Sequence, residues 1–272
     1  MNVKITGRKV EVPNQVLIDL NGKEYRFPKS SYAFQTTSKI DPAGYALVQD
    51  KPLIPEYGVA EFQASSAVSM AQMLNGAGKF FEIHKEAFED NLGVMDVRRF
   101  LPHLYNVNEA LQGRGVLYDA NGNLIEGKRL ADYADTLNHN SWVYLNGHFK
   151  ASEKGMNGFR GLDLLTITGF ENEKLIFSRA SLQDCLENSC WADVTQESLN
   201  EQGFPTKESP IGDKYEPGKT AYFGKPFDGL VASFGADADG AFLNCLRDPD
   251  DSYASLGVFT SAEGASVAEN KS

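Results

Sequence analysis

Cysteine is scarce in this sequence. Its 272 residues include three cysteines, Cys185, Cys190 and Cys245, and a number so small and odd excludes a fold built on a disulfide framework. The spacing of Cys185 and Cys190 matches no common zinc-binding pair. We therefore expect three ordinary buried or half-buried thiols.

Long hydrophobic runs are also missing. No stretch approaches the roughly 18 consecutive apolar residues of a membrane-spanning helix. The first residues, Met1 to Lys9, turn polar too early for the apolar part of a signal peptide. These absences predict a cytoplasmic protein without a membrane segment.

Basic residues are in the minority. The chain has 26 Lys and Arg against 37 Asp and Glu, a net charge of −11. Nucleic-acid binding and adhesion to anionic membranes both need positive charge, so we expect neither kind of partner. Hydrophobic residues make up 42% of the chain, which is enough apolar surface for a folded core.

Known catalytic motifs are absent as well. The sequence has no G-x-S-x-G or S-x-x-K motif, no P-loop and no dinucleotide-binding glycine pattern. Its four histidines show no paired metal-ligand spacing; they are His84, His103, His139 and His148. The sequence therefore predicts no catalytic residues, no metal ligands and no cofactor that a local motif would reveal.

The beginning of the chain is typical of β structure. The strand-like runs Val16–Leu20 and Lys23–Phe27 flank Asn21-Gly22, which is the strongest short signal for a hairpin. From Pro28 to Gly58 repeated prolines interrupt any regular period. Residues 1–61 are therefore predicted to form β hairpins and an extended arm.

Residues 62–194 are predicted to be mainly helical. Apolar residues at three- and four-residue spacing indicate helices over 62–91, 96–112 and 128 to about 145. The residues predicted to be buried on them are Phe100, Leu104, Leu111, Leu130, Leu137 and Tyr144. The neighbouring aromatic residues Trp142, Phe149 and Tyr133 are interpreted as part of the same core.

The end of the chain divides into two parts. Residues 195–219 are polar and contain Gly203, Pro205 and Pro210, which is typical of a linker. Residues 220–272 contain four short apolar runs and are predicted to be β-rich, with a polar tail from Thr260. Because helices and strands are segregated along the chain, the predicted fold class is α+β.

Acidic residues are concentrated in this C-terminal part. Asp237-Ala238-Asp239-Gly240 resembles the start of a calcium-binding loop, but its glycine stands at position four instead of six, which excludes an EF-hand. The loops up to Tyr253 are rich in the small polar residues that recognition loops favour. The predicted binding residues are Asp237, Asp239, Asn244, Asp248, Asp250, Asp251 and Tyr253.

The same segment, which closes on Leu256-Gly257-Val258-Phe259, resembles the C-terminal variable region of C-type-lectin-like ligand-binding proteins of the retroelement-diversified type. The resemblance covers about the last fifty residues and implies that these loops bind targets. The chain departs from that family in its two tryptophans, Trp142 and Trp191, which both lie outside the segment.

Three functions are compatible with these features. The first is a non-enzymatic binding protein whose acidic loops recognise a protein or small ligand of basic character. The second is a structural or assembly protein of a phage or another particle, with the arm from Pro28 to Gly58 lying against neighbouring subunits. The third is a hydrolase whose site is assembled from His139, His148, Cys185 and scattered aspartates. No feature of the sequence specifies an oligomeric state, and the missing catalytic motifs favour the binding protein.

Overall fold

The computed structural model describes residues 78–89, 93–119, 124–139, 141–153, 155, 157–237, 239–252 and 257–261, together with the backbone of short strands between residues 16 and 74. This part of the chain is a mixed helix-and-sheet protein in which strand residues outnumber helical ones. None of the helices in these ranges is long and apolar enough to cross a membrane.

Three α-helices lie within the described ranges: α1 (Phe80–Glu89), α2 (Val97–Leu111) and α3 (Gly127–His139). Asp96 caps the start of α2, because its carboxylate accepts the backbone N–H of Arg99 at 2.9 Å and so satisfies one of the unpaired groups of the first turn.

The strands are short at the beginning of the chain and long in its second half. In chain order they are β1 (Val16–Ile18), β2 (Glu24–Arg26), β3 (Tyr45–Gln49), β4 (Ala60–Glu61), β5 (Ala64–Ser69), β6 (Met73–Leu74), β7 (Gly93–Val94), β8 (Leu117–Asp119), β9 (Leu124–Ile125), β10 (Ser141–Ala151), β11 (Leu162–Glu171), β12 (Lys174–Ser181), β13 (Cys190–Asp193), β14 (Thr220–Gly224), β15 (Val231–Asp237), β16 (Gly240–Arg247), β17 (Gly257–Val258) and β18 (Thr260–Ser261).

Nine of the described strands form the main sheet. Its order is β12-β11-β10-β15-β16-β14-β13; in addition, β17 pairs with β10, and β6 pairs with β17. The pairs are antiparallel except for β14 with β16 and β10 with β17. Two smaller sheets have the orders β1-β2-β4 and β7-β18-β5-β3-β8-β9.

The main sheet carries a helical layer on each face. Alternate residues of β10 point to opposite faces, so Val143 joins the core with α2 and α3 whereas Tyr144 joins the core with α1. The first core contains Phe100 and Leu137, and the second contains Phe80. We call the face that packs against α1 the α1 face.

The prediction of a β-rich C-terminal part matches this architecture, and short strands also lie near the N-terminus. β1 and β2 pair antiparallel on either side of Asn21 and Gly22, with Val16 opposite Arg26. The β-rich C-terminal part corresponds to β14, β15, β16 and β17. Strand β3 lies inside the predicted arm; the rest of that arm, and the tail beyond Ser261, fall outside the described residues.

The prediction of a mainly helical middle over 62–194 is wrong in two places. Residues Ala64–Ser69 and Met73–Leu74 are strands, not part of a helix over 62–91. Residues Ser141–Ala151 form the central strand β10, although a helix is predicted to about Leu145. The apolar residues there fit the two-residue period of a strand as well as a helix, and pairing with β11 and β15 decides between them.

Residues 195–219, predicted as a linker, are packed against the rest of the protein. Phe204 is fully buried, with its ring centroid 5.7 Å from that of Phe149. The Asn200 side-chain oxygen accepts the backbone N–H groups of Gln202 and Phe204, each at 3.0 Å. The polar residues here organise a tight turn, as Asn side chains do elsewhere, so this stretch belongs to the folded domain.

Five of the six predicted core residues are buried, and Tyr144 is one of them although it lies on a strand. The exception is Leu111, which ends α2 and is 47% exposed. The helical spacing therefore identifies the buried face of α2 correctly along most of its length but extends it one turn too far.

Replacing Leu104 with alanine is expected to lower the free energy of unfolding by roughly 2–5 kcal/mol, because its side chain is fully enclosed in the core with α2 and α3. The matched control is Leu111→Ala on the same helix, which should change the free energy by no more than about 0.5 kcal/mol. Urea unfolding followed by circular dichroism measures both, and equal losses in the two variants would contradict the packing of α2.

Candidate ligand-binding groove

Four aromatic side chains lie in a line across five neighbouring strands of the main sheet. Trp142 of β10 is opposite Gly235 of β15, and Gly235 is opposite Phe242 of β16. Phe242 is opposite Tyr222 of β14, which in turn is opposite Trp191 of β13. Residues directly opposite each other project from the same face of a sheet. We call Trp142, Phe242, Tyr222 and Trp191 the aromatic row; it lies on the α1 face, where Trp142 also packs against the core with α1.

Two glycines make room for the large rings of the row. A Cβ atom on Gly235 would lie 2.7 Å from two carbons of the Trp142 indole, and one on Gly240 would lie 3.1 Å from Cη2 of Trp191. The Trp142 ring therefore lies over Gly235, in space that any other residue would fill. Glycine at these two positions therefore lets the indole rings lie close to the sheet.

The rings of the row are steeply inclined to one another. The planes of Trp191 and Tyr222 differ by 84° at a centroid separation of 6.3 Å, and those of Tyr222 and Phe242 by 56° at 6.2 Å. These separations are normal for edge-to-face aromatic pairs. The surface is consequently ridged.

A groove of about 310 Å³ lies along this surface. Its apolar lining includes Trp142, Tyr222 and Phe242, and its polar lining includes Ser233, Asn244 and Arg247. A concave, mainly apolar surface with a few polar groups is the usual composition of a ligand site.

The polar groups of the groove are partly used by the sheet itself. The Ser233 hydroxyl donates to the backbone oxygen of Asn244 at 3.2 Å. The Asn244 side-chain oxygen accepts the backbone N–H of Leu246 at 2.9 Å, which leaves its Nδ2 group as the donor facing a ligand. Arg247 is ion-paired with Asp251 at 3.4 Å, so the groove is close to electrically neutral.

The structure places three predicted binding residues at or near the groove. Asn244 lines it. Asp237 and Asp239 lie in the β15–β16 turn next to Gly240, where Asp237 accepts the backbone N–H groups of Asp239 at 2.9 Å and Gly240 at 3.2 Å. The turn is thus built by one aspartate and exposes the other beside Trp191.

The aspartates Asp248, Asp250 and Asp251 are engaged within the chain. Asp248 accepts the backbone N–H of Asp250 at 2.8 Å, and Asp250 pairs with Lys79 at 3.1 Å. The hydrogen bond that Lys79 donates to the Asp250 carboxylate raises the pKa of Lys79.

Two backbone contacts anchor the same segment. The Tyr144 hydroxyl donates to the backbone oxygen of Asp251 at 2.7 Å. The backbone N–H of Phe80 donates to the backbone oxygen of Pro249 at 3.0 Å. Residues 248–251 therefore connect the start of α1 to strand β10 of the main sheet. Tyr253, the last of the predicted binding residues, falls outside the described ranges.

The groups proposed for a hydrolase are spread over different parts of the fold. His139 is exposed and pairs with Asp135 of its own helix at 2.9 Å. His148 packs against Phe81 on the α1 face, with ring centroids 5.4 Å apart, whereas Cys185 belongs to the core on the opposite face. Burial raises the pKa of Cys185 to about 12, which makes it a poor nucleophile at neutral pH.

The other two histidines, His84 and His103, are buried inside the protein. Burial lowers the pKa of His84 to about 4 and that of His103 to about 3. His84 donates through Nδ1 to the backbone oxygen of Phe80 at 2.7 Å, and His103 is hydrogen-bonded to the hydroxyl of Tyr133. Over the ranges the structure covers, no three His, Cys, Asp or Glu side chains are grouped as metal ligands.

The aromatic row was not evident from the sequence. Tyr144, Phe149 and Tyr133 are buried core residues, as predicted, and Trp142 is partly buried against the core with α1 while it also lines the groove. Two local signals point to the row in hindsight: Tyr222 and Phe242 each stand between small or apolar residues in a strand, and Gly235 interrupts an otherwise regular strand. No protein-family model, curated protein or solved structure matches the chain.

Proposed function

We propose that this protein is a non-enzymatic binding protein and that its ligand, a protein segment or a small molecule, occupies the groove along the aromatic row. The observation that supports this most directly is the register of the row itself, with four aromatic rings on one face of five adjacent strands. Tyr222 is 36% exposed, and aromatic residues are the commonest anchors of binding surfaces.

The lining of the groove favours binding over catalysis. Its one charged residue among those described is Arg247, which is already paired with Asp251. A general acid or base has to lie within hydrogen-bond reach of the reacting atoms, and the buried histidines lie elsewhere. The binding role is the one predicted from the sequence, but the proposed site lies on the neighbouring sheet face and not on the acidic loops.

We also classify the fold as α+β. The main sheet is largely antiparallel, and the helices α1, α2 and α3 precede most of its strands along the chain. In a fold of parallel strands joined by crossover helices, helices and strands would instead alternate along the chain. On this classification, the sheet face is a rigid support for a binding surface.

Peptide and oligosaccharide arrays probed with the labelled protein test the proposed function. We expect some array ligands to be bound by the wild type and bound at least roughly tenfold more weakly by Tyr222→Ala, since an anchor ring usually carries a large share of the binding free energy. Tyr222 is partly exposed, so this variant should retain the fold.

The control variant carries Asp248→Asn and Asp250→Asn; Asp251 is kept because it pairs with Arg247 of the groove lining. Asparagine keeps the size and turn preference of each aspartate while removing its charge. It should bind the same array ligands as the wild type. Loss of binding in this variant with retention in Tyr222→Ala would assign the site to the acidic loops, and an array with no bound ligand would count against a binding role.

A further inference from the structure

We propose that two copies of this chain pair edge to edge through strand β12, antiparallel and about a twofold axis at Phe177. This association goes beyond the binding role of the groove, which lies on other strands of the main sheet. The main sheet ends in β12 on one side and in β13 on the other. The edge strand of a sheet presents backbone N–H and C=O groups that can pair with a strand of another chain.

The outer side of β13 is covered by the chain itself. The backbone N–H of Asp193 donates to the backbone oxygen of Lys207 at 3.0 Å, and that of Ser209 donates to the backbone oxygen of Trp191 at 2.9 Å. Along the outer side of β12, in contrast, the described part of the chain places no backbone partner opposite residues 175–179. Of the two edges of the main sheet, β12 is therefore the one available to another strand.

The middle of β12 lacks the features that usually protect a sheet edge, which are charges, prolines and bulges. The segment Leu175-Ile176-Phe177-Ser178 contains no charged residue and no proline. The irregularity in its pairing with β11 falls on β11, between Ile167 and Gly169. Ile176 and Phe177 are 38% and 39% exposed and project from opposite faces of the sheet. Pairing along this edge would bury apolar surface on both faces.

Alternate residues of β12 direct their backbone groups outward. The Thr168 hydroxyl of β11 donates to the backbone oxygen of Ile176 at 3.4 Å, so Ile176 faces β11. The backbone oxygen of Ser181 faces the other way and accepts the Gln202 side-chain amide at 2.9 Å. Backbone groups alternate between the two sides of a strand. The outward-facing residues before Ser181 are therefore Leu175, Phe177 and Arg179.

A twofold axis at Phe177 pairs all of these outward groups. In an antiparallel pair of identical strands, this axis places Phe177 opposite Phe177 of the second copy and Leu175 opposite Arg179 of the second copy. An axis one residue further along would place Leu175 opposite Ser181, whose oxygen Gln202 already occupies. An axis one residue earlier would place Arg179 opposite the β11–β12 turn. The backbone of β12 is thus complementary to itself about this one axis.

The α1 face adds an aromatic contact at the axis. Phe177 projects from this face, where its ring centroid lies 6.3 Å from that of Phe81 on α1. Side chains directly opposite each other on neighbouring strands are close enough to touch. The two Phe177 rings would therefore cover each other, each supported by Phe81 of its own copy.

The opposite face adds complementary charge. With the axis at Phe177, Lys174 lies opposite Ala180 of the second copy and on the same face. Ala180 lines a cleft of about 150 Å³ whose lining includes the carboxylates of Asp96 and Glu201. The Lys174 ammonium group of each copy is thereby placed beside the acidic rim of the other copy, which favours the association of two chains that are both negatively charged overall.

Sedimentation velocity of the intact protein tests this proposal. One pair of short strands is a small interface, so the protein is measured from about 1 μM to about 200 μM, a range that brackets the weak association expected. A species of twice the chain mass should increase with concentration. Over the same range, the backbone amides of Leu175, Phe177 and Arg179 should become protected from hydrogen exchange. A monomer at every concentration would overturn the proposal.

Phe177→Lys should weaken the association at least roughly tenfold, because it replaces the ring pair at the axis with two like charges directly opposite each other. The matched control is Phe227→Lys, which makes the same change at a phenylalanine that is 46% exposed and lies away from β12. The control should associate like the wild type. Equal losses in the two variants would contradict pairing through β12.

A charge exchange tests the position of the axis. Lys174→Glu and Glu201→Lys should each weaken the association severalfold, because each places like charges together at both ends of the strand pair. An equimolar mixture of the two variants should associate like the wild type, because every such contact then joins opposite charges. A mixture that associates no better than either variant alone would overturn the proposed pairing.

Discussion

Lowering the pH from 7 to 4.5 is expected to reduce the free energy of unfolding by roughly 2–3 kcal/mol for each of His84 and His103. Burial holds the pKa of these side chains at about 4 and about 3 in the folded protein, whereas an unfolded histidine titrates near 6.5. Below pH 6.5 the unfolded chain therefore binds protons that the folded chain does not. The stabilisation is complete above pH 6.5 and is lost as the pH falls towards the folded-state values.

Urea unfolding at several pH values between 7 and 4.5 measures this effect, and substitution isolates it. His103→Gln removes one proton-binding group while keeping a polar side chain opposite Tyr133, so its free energy of unfolding should fall less steeply with pH. His139→Gln, which alters an exposed histidine, serves as the control. A pH dependence unchanged by His103→Gln would show that His103 is not buried in its neutral form.

Gly203→Ala is expected to destabilise the protein by about 3 kcal/mol or more. Gly203 has a φ angle of +88°, which disfavours residues with a side chain, and an added Cβ would lie 2.4 Å from Cα and 2.5 Å from N of Arg98. Both atoms belong to the backbone of α2, so the clash requires a displacement of the helix or of the turn. Glycine is required at position 203 because residues 195–219 pack closely on α2.

Gly212→Ala is a matched control in the same stretch. Gly212 has a φ angle of +67° but no atom within 4 Å of the added Cβ, so only the backbone penalty of about 1–2 kcal/mol applies. Thermal or urea unfolding of both variants gives the comparison. Similar small losses at the two positions would mean that residues 195–219 are a loosely attached linker after all.

The sequence predicts best those elements whose signal is local. Helix α2 has a capping aspartate and a clear apolar face, and the strands β14, β15 and β16 stand out as apolar runs between turn residues. Strand β10 was missed because Ser141 and Tyr144 continue the three- and four-residue spacing of Leu137, and only pairing with distant strands distinguishes a strand from a helix there. The 195–219 stretch was missed because its polar residues form a turn around Phe204, whose aromatic side chain is buried in the core.

The binding site shows the same division between local and distant information. The aspartates near the C-terminus form an evident local cluster, yet Asp250 and Asp251 are paired with Lys79 and Arg247 inside the chain. The aromatic row draws its members from strands far apart in sequence, and its existence depends on the register of each pair. Register follows from the complete sheet, so spacing along the chain does not reveal the row.

The two tryptophans of the chain offer the most direct measurement of where the ligand binds. Trp142 lines the groove and Trp191 packs edge-on against Tyr222, which also lines it, so the two indole N–H signals in a ¹H–¹⁵N correlation spectrum report on the groove directly and through Tyr222. During titration with the strongest array ligand, both signals should move and saturate at the midpoint measured by calorimetry. Saturable shifts of the backbone amides of residues 248–251, with both indole signals unmoved, would place the ligand on the acidic loops and contradict binding at the aromatic row.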